Sequence, residues 1–62
     1  MKDTAAEIAR LNNLAWLHST LRRLGWPTVD AQNEARRRFG RTLSGLNAEE
    51  LETLVRWATE EG

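Results

Sequence analysis

Leu46-Asn47-Ala48-Glu49-Glu50-Leu51-Glu52-Thr53-Leu54-Val55 is the stretch from which the fold can be read. Asn47 is a good N-cap residue, Glu50 stands three positions on to complete a capping box, and Leu46 is placed to staple against Leu51. A helix therefore starts here. Leu51, Leu54, Val55 and Ala58 recur at three- and four-residue steps, which predicts one narrow apolar face on a helix over about 48–60. That face has to be covered by something, and the chain before it supplies two candidates.

The nearer one spans about 28–39. Pro27 or Thr28 begins it, Gly40 ends it, and its apolar stripe is thin: Ala31, Ala35 and Phe39 at i, i+4 and i+8. Such a helix packs closely through its alanines and anchors through one ring. The farther one spans about 4–24, capped by Asp3 or Thr4 and stopped by Gly25, with Ile8, Leu11, Leu14, Leu17, Leu21 and Leu24 expected on one broad apolar arc. No strand pattern, repeat or low-complexity segment competes. The expectation is an all-α fold, a compact three-helix bundle forming a single domain over 1–62. The chain has no cysteine, so neither disulfides nor a thiolate metal site can support so small a core. Homodimerisation is one way to complete it.

The hydrophobic fraction of 40% beside 29% charged residues is that of a globular chain rather than a disordered one. No apolar run approaches the length of a spanning helix and no signal-peptide layout is present, so no membrane association and a cytoplasmic location are expected. Net charge is zero but unevenly spread. Over 22–41, six arginines against Asp30 and Glu34 leave +4, while over 42–62 Arg56 against five glutamates leaves −4. Arg22, Arg23, Arg36, Arg37 and Arg41 are thus candidates for phosphate contact, a nucleic-acid reading of the chain. The same arginines also cluster near helix C-termini, where the helix dipole favours cations without any ligand.

Catalytic constellations are absent. His18 is the only histidine, has no cysteine or acidic neighbour at helical spacing, and falls between Leu14 and Leu21, where a packed, half-buried ring is expected. No enzyme activity, cofactor, metal or small-molecule substrate is expected. Trp16 is the most informative residue, since the helical projection leaves it on the polar back of the first helix. There it is expected to anchor a contact with a protein partner or a second copy, with Asn12, Thr20 and Arg23 as its polar rim. Trp26, between a helix stop and Pro27, is expected to plug one end of the bundle. Trp57 lies at the edge of the third helix's apolar face.

The order of motifs adds a family likeness. A leucine-periodic helix ends in Leu24-Gly25, a polar helix ends in Arg38-Phe39-Gly40-Arg41, and Ser44-Gly45-Leu46-Asn47 leads into Glu50-Leu51-Glu52-Thr53-Leu54-Val55. Over about 8–62 this resembles the small helical module of the phage Mu GemA-like regulatory proteins and the C-terminal helical modules of some phage and plasmid recombination proteins. The second helix departs from that pattern, carrying three arginines where bulky aliphatic residues are expected. The resemblance implies an accessory or regulatory role near DNA transactions in phage or mobile-element biology, with no catalytic residue to carry over.

Overall fold

The computed structural model describes residues 4–62, and they form three helices: α1 (Thr4–Leu24), α2 (Thr28–Phe39) and α3 (Ala48–Glu61), with a single 3-10 turn at Leu43–Gly45. There is no strand among the described residues, and the protein is an all-α three-helix bundle. Asp3, one of the two expected caps of α1, lies outside the described residues. Local chemistry sets the remaining boundaries. Gly25 takes φ 76°, and the Gly25 N–H to Arg22 and Trp26 N–H to Leu21 bonds, 3.2 and 2.9 Å, close α1 in a Schellman arrangement. Pro27 follows as the N-cap of α2, and Gly40 ends that helix at φ 69° with its N–H on the Arg36 carbonyl. The capping box of α3 is complete: Glu50 N–H donates to Asn47 Oδ1 and Asn47 N–H to Glu50 Oε1, both at 2.9 Å. Leu46 and Leu51 are both buried beneath it.

The core is small and gathers Leu17 and Leu21 of α1, Ala31 and Ala35 of α2, Leu43 and Leu46 of the connection, and Leu51, Leu54, Val55 and Ala58 of α3. α1 and α3 form the main packed pair and run in the same direction. At one end the Asn13 side chain donates to the Ala48 carbonyl at 2.9 Å, and at the other Gly62 lies against the Leu24 side chain. On α2, the 3-10 turn folds back so that Leu43 N–H donates to the Gln32 side chain at 3.1 Å. Asn47, Ala48 and Glu49 at the start of α3 border Ala6, Glu7 and Arg10, and α1, the longest helix at 21 residues, sets the long axis of the molecule. The molecule is correspondingly elongated, 38 × 23 × 16 Å.

This placement corrects the reading of α1. Ile8 and Leu11, expected on the core-facing arc, are 52% and 50% exposed. Helical geometry gives the reason: Ile8 is nine residues from the fully buried Leu17, about 180° around the axis, and Leu11 is about 120° away. Leu14, Leu17, Leu21 and Leu24 define the inward face, and extending it toward the N-terminus reaches Asn13 and Arg10 instead. α1 is therefore apolar on two sides, and its own bundle covers only one.

Candidate functional site

The uncovered side of α1 carries Ile8, Leu11 and Trp16, each about half exposed (52, 50 and 50%). Asn12 lies one turn before Trp16 and Ala15 one turn after Leu11, both exposed, so the large side chains are joined into one strip by neighbours three and four residues apart. From Thr4 to Ser19 the outward arc of Thr4, Ala5, Ile8, Leu11, Asn12, Ala15, Trp16 and Ser19 bears no charge, in a chain of which 29% is charged. Arg22 and Arg23 follow at the C-terminal end. Of the rim expected around Trp16, Asn12 and Arg23 are exposed on its side of the helix. Thr20 is not part of that rim. It is 2% exposed, and its hydroxyl donates to the Trp16 carbonyl at 2.9 Å, because it lies only about 60° from Leu17 and is drawn into the packed face. Exposed Glu7, one turn before Leu11, and half-buried His18, one turn after Ala15, border the strip along one edge, and no charged residue lies within it before Arg22. Val29 of α2 is the other large exposed apolar side chain among the described residues, and a scattered one of this kind is ordinary.

The arginines do not form one surface. Arg37 donates to both oxygens of Glu34, Nε at 3.2 Å and Nη2 at 2.6 Å, and Arg38 Nε adds a third bond at 2.5 Å. Glu34 is buried, and these bonds satisfy it. Arg41 pairs with Glu50 and donates to the Gly45 carbonyl, which ties the loop to the capping box of α3. Arg22, Arg23 and Arg36 are exposed and have no ion-pair partner among the described residues. They are split between two places, since Arg36 stands two turns, about 12 Å, along α2 from the end that meets α1. Of the five arginines considered as a phosphate-binding set, Arg37 and Arg41 are thus committed to carboxylates.

The hydrogen bond from Arg37, joined by Arg38, holds the Glu34 carboxyl below the usual glutamate range against the opposing effect of burial. A lowered folded-state value means that the charged form stabilises the fold above the unfolded value near pH 4.3, and that this contribution disappears as pH falls through the folded value. Glu34→Gln is expected to cost on the order of 1 kcal/mol at pH 7, with the gap to the native chain closing below about pH 4. Urea unfolding at a series of pH values measures it. A gap that stays constant down to strongly acid pH contradicts the assignment.

At the end of the bundle where α1 meets α2, Trp26 and Trp57 pack edge to face, ring centroids 5.4 Å apart and planes at 61°. Both are half-buried against the core, so Trp26 closes this end together with Trp57 rather than alone. Beside the pair runs an open groove of about 310 Å³, lined also by Asp30, Glu34, Arg37 and Glu61. Sequence reasoning did not join these two tryptophans, because their meeting depends on the C-terminal half of α3 returning to the α1–α2 turn. His18 is half-buried, and no cluster of potential metal ligands exists among the described residues. Nor is any helix among them long and apolar enough to cross a membrane. Compared with protein-family models, curated proteins and solved structures, the chain matches none.

Proposed function

We propose that this protein is a non-catalytic helical interaction module that pairs with a second copy of itself through the outer face of α1. The observation that carries this reading is the uncharged strip from Thr4 to Ser19, with Ile8, Leu11 and Trp16 half exposed along it. Together those three side chains leave on the order of 300 Å² of apolar surface, at the lower bound for the largest patch of an ordinary monomer. Two copies covering each other, with the alanine and serine positions between, approach the roughly 1,000 Å² that a specific interface needs. Charge selects the orientation. Parallel pairing sets Arg22 and Arg23 of both copies side by side, whereas antiparallel pairing sends them to opposite ends and brings Ile8 and Leu11 of one copy toward Trp16 of the other.

Such a module suits the accessory or regulatory role implied by the resemblance to phage Mu GemA-like proteins. A modest interface gives a modest affinity, with a dissociation constant on the order of 10–100 μM, because association costs several kcal/mol before any surplus shows. Sedimentation equilibrium over about 10 μM to 1 mM is expected to show mass rising toward that of a dimer, and Trp16→Ala to weaken it at least about tenfold. A chain that stays monomeric throughout overturns self-pairing.

Nucleic-acid binding is the second reading, and Arg22, Arg23 and Arg36 are the cations left for it. With three phosphate contacts the log–log salt slope is about −2.7, and little binding to duplex DNA is expected at physiological salt. Tight binding with a slope steeper than about −4 reverses the order of the two readings.

A further inference from the structure

We propose that the groove beside Trp26 and Trp57 binds an alkylated ammonium cation, of the kind carried by choline-like small molecules and by methylated lysine side chains. Its walls come from three places in the chain: Trp26 just after the stop of α1, Asp30 and Glu34 on the first turns of α2, and Trp57 and Glu61 on α3. The indoles meet edge to face with planes at 61°, so the edge of one ring covers part of a face of the other, and both rings border the groove. An indole face is electron-rich and attracts a cation placed over it, most strongly when water is partly excluded.

The charges around the groove point the same way. Three carboxylates, Asp30, Glu34 and Glu61, line the groove with Arg37, and Arg38 also bonds Glu34, which leaves a net of −1, its negative charge carried by Asp30 and Glu61. Arg37 is committed to Glu34 through both oxygens, and Asp30 and Glu61 have no ion-pair partner among the described residues. Glu61 is the last residue of α3, whose final turn contains no basic residue. It is exposed and lines the groove with Trp57, where its negative charge attracts a cation.

Chemistry narrows the class. No group of three or more acidic or histidine side chains is placed to hold a metal ion among the described residues, and an anion is repelled by the net charge. An alkylated ammonium spreads its charge over methyl groups that pack on aromatic rings and lose little hydration on entry. About 310 Å³ is at the small end for ligand sites and holds one such head group with part of its chain.

The three tryptophans give three indole N–H signals in a correlation NMR spectrum, and these read the site directly. Titration with choline, or with acetylated trimethyllysine amide, is expected to shift the Trp26 and Trp57 signals saturably, with a dissociation constant on the order of 1 mM, and to leave Trp16 in place. The neutral tert-butyl analogue of choline is expected to bind at least about fivefold more weakly. The paired change Asp30→Asn with Glu61→Gln alters two exposed side chains and is expected to weaken choline about fivefold without affecting the neutral analogue. Preference for choline assigns the site to small molecules, and preference for the trimethyllysine amide assigns it to a protein side chain. Equal binding of the neutral analogue, full affinity in the doubly changed chain, or no saturable shift of Trp26 and Trp57 overturns the proposal.

Discussion

Leu54→Ala is expected to cost about 3–4 kcal/mol and to leave most of the chain unfolded at 37 °C. Leu54 is fully buried on α3 and belongs to a core in which Ala31, Ala35 and Ala58 contribute little volume. The large side chains therefore have no redundancy, and a lost isobutyl group leaves a cavity that a few short helices close only in part. A domain of this size without disulfides or metal draws only about 3–5 kcal/mol of net stability from its core. The loss is thus comparable with the whole. Helical circular dichroism during urea unfolding measures it, with Leu54→Met, which conserves volume, expected to lose less than about 1.5 kcal/mol. A Leu54→Ala chain that unfolds within a few tenths of a kcal/mol of the native one shows that α3 does not pack as described.

Leu11→Glu is expected to do the opposite: to leave the fold intact and abolish self-association. Leu11 is half exposed, glutamate is a good helix former, and no core contact is removed, so the monomer's stability should change by no more than about 0.5 kcal/mol. At the interface the change places a carboxylate within an otherwise uncharged strip, where each copy must strip water from a charge that has no partner. The dissociation constant should rise at least about a hundredfold, beyond the range of the sedimentation experiment. Had Leu11 faced the core, as its spacing from Leu14 and Leu17 first implies, the same substitution would unfold the chain. One variant, measured for both stability and mass, separates these two placements.

That pair of substitutions also shows which parts of the structure were legible in the sequence. The capping box of α3, the Gly25 and Gly40 stops, and the Ala31, Ala35 and Phe39 stripe were readable because each depends on residues a few positions apart. The inward face of α1 was not. A helix with apolar residues on two sides has no single stripe, and only the start of α3 beside Asn13 decides which leucines are covered. Thr20 was misplaced for the same reason, since it lies between the direction of Trp16 and that of Leu17. The pairing of Arg37 and Arg38 with Glu34 is legible as opposite charges three and four residues apart on one helix, a spacing that the summed charge of the segment does not show. The Trp26–Trp57 pair is a contact between the α1–α2 turn and the far end of α3, and no local rule reaches that distance.

The outer face of α1 is most directly tested by following the native chain's own spectrum on dilution, without any substitution. Between about 1 mM and 10 μM, a range that spans the expected dissociation constant, the amide and indole N–H signals of each residue report whether its surroundings change with association. The expected result is a concentration-dependent shift of the Trp16 indole and of the amides of Ile8, Leu11, Asn12 and Ala15, with the Trp26 and Trp57 indoles unmoved. A spectrum that is invariant over the whole range, or shifts confined to α2 and the Trp26–Trp57 end of the bundle, contradicts the assignment of α1 as the contact surface.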